Sequence, residues 1–227
     1  MDLFFDLPDG TKVKVSVNQL LNGGWAGRTK EELQKHIDEA RLLGISGPTV
    51  TPILMPISPY LAQQTDDVWA PHEKTSGEAE WGLVVTNEED LLFTLVSDHT
   101  DRALEVHGIR WSKNAAPDVL SRKAWRYEEI ESHSDKIILK SWVTHGENEV
   151  EIQSATLETL LPPSYWMNVM RERNLLKPGT VLASGTINMH PGVNQFGDAW
   201  RAEMIDPVLN RSIDLKYRIK KLPEAIG

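Results

Sequence analysis

The sequence predicts an α+β, mostly β, single domain. Short alternating or apolar runs recur along the whole 227-residue chain, helical periodicity is confined to a few segments, and neither a βαβ rhythm nor an internal repeat is visible. The composition agrees, with 40% hydrophobic and 25% charged residues and eight tryptophans, each of which demands burial or a ligand.

Residues 2–18 alternate around Pro8-Asp9-Gly10, with Val13, Val15 and Val17 in period two, which predicts a β-hairpin. Asn22-Gly23-Gly24 then reads as a chain break. Thr29 is an N-cap, Glu31 and Glu32 fill a first turn, and Leu33, Ile37, Ala40 and Leu43 give helical spacing, so a helix is expected over 30–43, closed by Gly44. Four prolines (48, 52, 56 and 59) make residues 45–62 extended and irregular. Strands are expected at 78–86 and 91–97, joined by a turn at 87–90, with a short helix over 100–107. Further strands fall at 136–144 and 149–156 around His145-Gly146-Glu147-Asn148, followed by a helix over 163–174. The tail holds strands at 180–184, 199–205 and 212–222, the last two linked by a turn that starts at Asp206-Pro207.

Several function classes are excluded at this level. There is no cysteine, hence no disulfide framework, thiolate metal site or cysteine nucleophile, and any metal must sit on oxygen or imidazole ligands. The net charge of −9 argues against a nucleic-acid partner, while leaving room for a small anionic substrate that needs only two or three placed cations. The start MDLFFDLPDG lacks signal-peptide character and no apolar run approaches a membrane span, so a cytoplasmic protein with no membrane partner is expected.

Glu78-Ala79-Glu80 is the sharpest chemical feature. Residues two apart on a strand share a face, so both carboxylates project together; either that face is solvated or a cation neutralises it. Asp98, in the cluster Ser97-Asp98-His99-Thr100-Asp101-Arg102, offers a third carboxylate at a strand end, although an Asx turn with a surface Asp101–Arg102 pair gives the same pattern. Three carboxylates with water suit Mg²⁺, Mn²⁺ or Ca²⁺. His36 and Glu39 stand at i,i+3 on the expected helix, where a carboxylate orients an imidazole as a base for water; a solvated helix face is the alternative. Ser184-Gly185-Thr186 ends a strand beside a hydroxyl, suited to hold a substrate oxygen or simply to turn. Trp25 and Arg28 lie in a glycine-rich segment that permits close approach of a ligand.

Taken in order, these motifs resemble the fumarylacetoacetate hydrolase superfamily over about residues 22–222. Gly24-Trp25-Ala26-Gly27-Arg28 leading to His36-Ile37-Asp38-Glu39 is similar to its glycine-containing strand end and H-x-x-E lid helix. Glu78-x-Glu80 matches the metal-binding E-x-E strand, and Ser97 to Arg102 is similar to the N-D-x-S-x-R-D motif that supplies the third ligand. Ser112-Lys113 lies where the family carries its A-K-S lysine, Val143 to Gln153 resembles its N-G-containing hairpin, and Leu176 to Thr186 its T-G-T-P signature. The likeness is greatest to a bacterial branch catalogued as a domain of unknown function. Departures surround the substrate: Asn114-Ala115-Ala116 replaces the Phe-Asp after the lysine, Ile187 replaces the proline, and 188–197 is longer than usual.

The resemblance implies a mixed β-sheet roll of the fumarylacetoacetate hydrolase C-terminal-domain type with short flanking helices. It divides the chain into an N-terminal hairpin appendage (1–21) and a catalytic domain (22–227) that forms homodimers. It further implies Mg²⁺, or Mn²⁺ or Ca²⁺, on Glu78, Glu80 and Asp98, with no organic cofactor. His36, oriented by Glu39, would activate water; Lys113 and Arg102 would balance substrate charge; Gly185 and Thr186 would hold an acid or keto oxygen; Trp25 and Arg28 would form the substrate wall. The implied reaction is hydrolysis of an acylpyruvate-type C–C bond in a small 2-oxo acid. Isomerisation, decarboxylation or hydration, and hydrolysis of a cyclic amide or lactone, use the same parts, and a non-catalytic metal- or ligand-binding protein keeps the same fold.

Overall fold

A computed structural model describes residues 1–42, 44–45, 47–87 and 90–227. Leu43 at the expected helix end, Glu88 and Glu89 of the expected 87–90 turn, and the side chain of Glu39 lie outside the described residues. The first third of the chain forms β1 (Asp2–Asp6), β2 (Lys12–Ser16), β3 (Gln19–Gly24), α1 (Lys30–Leu42), β4 (Ile53–Ile57), β5 (Ala62–Gln63), β6 (Asp67–Ala70) and β7 (Thr75–Ser76). Next come β8 (Ala79–Val85), β9 (Leu91–Asp98), β10 (Thr100–Asp101), α2 (Arg102–Glu105), α3 (Ile109–Lys113), β11 (Asp118–Arg126) and α4 (Tyr127–Ile130). The last third holds β12 (Ile138–His145), β13 (Asn148–Thr156), α5 (Pro163–Glu172), β14 (Thr180–Ala183), β15 (Ala199–Asp206) and β16 (Arg211–Lys221).

These strands build a curled mixed sheet in the order β2-β1-β11-β9-β8-β14-β3-β4, with β5 against β11, and a second sheet in the order β13-β12-β15-β16-β6. Every residue of β8 and β9 is buried, which is why both read as near-continuous apolar runs rather than clean alternation. On one face, Trp81 and Phe93 stack with ring centroids 5.5 Å apart and join Leu139, Val143, Trp200 and Tyr217 of the second sheet. On the other, Val84 and Val96 meet Leu3, Phe5, Met55 and Val181. The mostly β roll with short helices expected from the resemblance is thus the fold observed.

Helix α1 begins as expected, with Thr29 Oγ1 accepting the Glu32 amide at 3.1 Å. It closes at Gly44, whose φ of +78° accompanies bonds from Gly44 N to Arg41 O and from Ile45 N to Ala40 O. Two segments differ from the sequence reading. Asn22-Gly23-Gly24 is not a break but the end of β3, paired with both β4 and β14. Glycine is required there by close approach, because a Cβ on Gly23 would lie 2.6 Å from Ser184 O. The N-terminal hairpin extends the main sheet, with β1 parallel to β11 and Leu3 and Phe5 buried, and the expected 21/22 boundary falls inside β3.

Candidate metal centre

The adjacent antiparallel strands β8 and β9 create the site. Glu80 lies opposite Val96, and the Asp98 amide donates to Glu78 O at 3.1 Å, which draws the end of β9 against the E-x-E segment. Glu78, Glu80 and Asp98 each offer an oxygen within 4.8 Å of the others, and all three are buried. The solvated-face alternatives for these residues are therefore ruled out by their burial.

Around this trio stands a dense polar shell. The Lys113 ammonium contacts Glu78 Oε2 and lies 2.7 Å from Asp98 Oδ2 and 2.9 Å from Thr100 Oγ1. Arg102 donates to Glu78 Oε1 at 2.8 Å, to Glu105 Oε2 at 2.9 Å and to Ser76 Oγ at 2.7 Å. Burial alone would raise the Glu78 carboxyl, but Lys113 and Arg102 hold it below its usual range. Among the described residues no cation contacts Glu80, and Lys113 acts on it only from a distance. Burial and then the Asp98 charge push its carboxyl well above the usual value. Asp98 is also raised, chiefly by burial.

The charge balance tests whether a cation fits. Glu78, Glu80, Asp98, Asp118 and Glu105 are all buried here, against the two cations Lys113 and Arg102. Buried carboxylates without matching charge either take up protons or bind a cation. A hard divalent ion suits an all-carboxylate donor set of this kind.

A cavity opens over Glu78 and Glu80, lined also by Trp25, His36, Arg102, Lys113, Gly185 and Thr186. The His36 ring stands edge-on to Trp25 at 5.1 Å. Burial lowers its pKa, Glu78 opposes that shift, and Lys113 and Arg102 reinforce it. Arg28 is not brought to the lining: its guanidinium is held by Asp135 at 2.6 and 2.8 Å and by Leu160 O at 2.7 Å. The Gly185 amide, expected to hold a substrate oxygen, donates to Glu80 Oε2 at 2.9 Å. The Thr186 hydroxyl donates to Ala79 O at 2.9 Å and accepts from Gln153 Nε2 at 2.7 Å, so it ties β8 to the β14 end.

The layer beneath has no local signature in the sequence. Asn22 Nδ2 donates to Asp98 Oδ2 at 2.9 Å and to Asp118 Oδ1 at 3.2 Å. Asp118 lies opposite Asp98 in register, and burial with the Asp98 charge raises its carboxyl well above the usual value. His99 is buried behind the site, its Nδ1 2.9 Å from the Tyr217 hydroxyl, and burial pushes it down to about 3. The only sequence signal for Asp118 was an isolated acid at the start of an apolar run.

The family described as "Protein of unknown function (DUF2848)" matches residues 23–217, and the chain belongs to that family. No curated protein matches it. Among solved structures, a hexagonal crystal form of 2-keto-3-deoxyarabinonate dehydratase superposes with a TM-score of 0.66 at 14% identity, over 92% of this chain and 76% of that one. The 2-keto-3-deoxy-D-arabinonate dehydratase complexed with magnesium and 2,5-dioxopentanoate gives 0.63 at 16% identity, over 92% and 75%. The 4-oxalocrotonate decarboxylase from Pseudomonas putida G7, complexed with calcium and acetate, gives 0.52 at 14% identity, over 88% and 76%. These neighbours are members of the fumarylacetoacetate hydrolase superfamily, so the resemblance drawn from the motifs holds for the fold.

Proposed function

We propose that this chain is a divalent-metal-dependent enzyme acting on small 2-oxo acids, with acylpyruvate-type carbon–carbon bond hydrolysis as its reaction. The observation that carries the reading is the buried trio Glu78, Glu80 and Asp98, set in an excess of carboxylates, with Glu78 and Glu80 lining a cavity. These three residues would hold Mg²⁺, Mn²⁺ or Ca²⁺. When bound, such an ion polarises a carbonyl oxygen and stabilises negative charge developing on it.

The protein's own groups divide the remaining work. Lys113 and Arg102 line the cavity and face the carboxyl end of the substrate, each already anchored by Glu78. His36 lines the same cavity, and its lowered pKa keeps the imidazole neutral and able to accept a proton from water at neutral pH. Trp25 and Ile45 supply an apolar wall that limits water around the reacting groups.

His36→Ala tests the hydrolytic assignment. With acetylpyruvate as substrate, kcat is expected to fall by about 10²–10⁴-fold, while Mg²⁺ affinity measured by calorimetry stays unchanged. A second reading, a dehydratase, decarboxylase or isomerase without activated water, draws support from the buried Lys113 ammonium at the centre of the site and from the chemistry of the solved neighbours. Turnover that survives His36→Ala but not Lys113→Met supports that second reading.

A further inference from the structure

We propose that the metal centre opens onto a second, apolar subsite that takes the neutral hydrocarbon tail of a 2-oxo acid. The substrate is then an alkyl- or aryl-tailed acid rather than a dicarboxylate or a sugar acid; this rests on the metal-bound 2-oxo head proposed above.

A neighbouring cavity shares the lining side chains Trp25, Ile45, Glu105 and Ile109 with the cavity at Glu78 and Glu80, so the two adjoin there. Beyond this boundary the lining adds the apolar side chains of Pro48, Val50, Ile53 and Val106, with Thr49 and His107 as its polar ones. Val50 and Val106 are 65% and 42% exposed, so apolar surface at the outer rim remains for a ligand to cover. Trp25 stands at the junction with a φ of +53°, a left-handed conformation unfavourable for a bulky residue. Strain of this kind persists where the surrounding structure fixes a side chain for use.

Charge sets the selectivity. No lysine or arginine is among the described residues lining the second cavity. Lys113 and Arg102 line the first cavity, where they serve the carboxyl head. Within the second cavity a distal carboxylate would meet no lysine or arginine among the described residues, and at the junction it would meet a Glu105 already paired with Arg102, so its desolvation would go uncompensated. A polyhydroxylated tail would meet few polar side chains, chiefly Thr49 and His107, and leave hydroxyls poorly paired.

Calorimetry on the Mg²⁺-loaded protein tests this. Oxalate probes the head site alone; 2-oxobutanoate, 2-oxohexanoate and 2-oxooctanoate extend an apolar tail, and 2-oxoglutarate adds a distal charge. Affinity is expected to rise by about fourfold for each methylene that becomes buried, with an increasingly negative heat-capacity change. 2-Oxoglutarate is expected to bind no better than 2-oxobutanoate. Val50→Asp and Val106→Asp, both at exposed positions, should flatten the series and leave oxalate affinity unchanged. Oxalate binding combined with a flat series, or with tightest binding of 2-oxoglutarate, would overturn the apolar subsite while the metal centre stands. Failure of oxalate to bind in the presence of Mg²⁺ would overturn the head reading, and this inference with it.

Discussion

Asn22 donates from one amide nitrogen to two buried carboxyl groups, Asp98 and Asp118, and so fixes the orientation of the third carboxylate of the metal centre. Groups that orient a ligand from behind matter nearly as much as the ligand itself. Asn22→Ala is therefore expected to weaken Mg²⁺ affinity by about 10–100-fold, measured by calorimetry, with the folded state retained. Unchanged affinity would show that Asp98 holds its position without Asn22. Glu78 and Glu80 were legible in the sequence through strand alternation, Asp98 through its polar cluster at a strand end, and all three through motif order. Asn22 and Asp118 were not, because they meet Asp98 from β3 and β11, 76 and 20 residues away, and no local spacing encodes that convergence. Gly185 was legible as a turn, but its positive φ of 90° sends the amide to Glu80, a direction that residue type alone does not specify.

At the scale of elements, the strands with an uninterrupted pattern were readable and β11 was not. Its run Ser121-Arg122-Lys123 interrupts the apolar sequence where the register with β9 shifts between Leu120 and Ala124. A bulge of that kind removes the alternation that periodicity depends on. The β15–β16 hairpin, by contrast, was announced by Asp206-Pro207, and the structure shows why the acid belongs there. Asp206 Oδ1 accepts the Val208 and Leu209 amides at 3.0 and 3.1 Å and lies 3.1 Å from His133 Nε2; its Oδ2 accepts from Arg211 Nε at 3.2 Å. Burial alone would raise this carboxyl, but the Leu209 amide, His133 and the Val208 amide hold it below its ordinary value. A lowered carboxyl stabilises the fold above its unfolded pKa, and that contribution is lost as pH falls through the lower folded value. Asp206→Asn is expected to cost about 2–3 kcal/mol at pH 7 in urea denaturation, and the deficit should shrink towards pH 3. A deficit independent of pH would mean that the charge on Asp206 contributes nothing.

For the whole molecule, the separate sheets share one continuous requirement: the main sheet is buried on both faces. Its outer face is closed partly by the N-terminal hairpin, through Leu3 and Phe5 packed with Val84, Val96 and Val181. The sequence revealed the hairpin but not its place in the sheet, since a strand's pattern does not name the strand it pairs with. Removal of residues 1–17 is expected to abolish cooperative thermal unfolding, whereas an unchanged transition would mark the hairpin as dispensable. Light scattering at twice the chain mass would support the homodimer that the superfamily resemblance implies. Among the described residues no helix is long and apolar enough to cross a membrane. Whether Glu78, Glu80 and Asp98 bind a divalent cation is decided by a crystal soaked with Mg²⁺ and oxalate. Density is expected for one ion touching all three carboxylates, with oxalate chelated to it from the Trp25 side. An empty trio under millimolar Mg²⁺, or an ion bound elsewhere, would contradict that assignment.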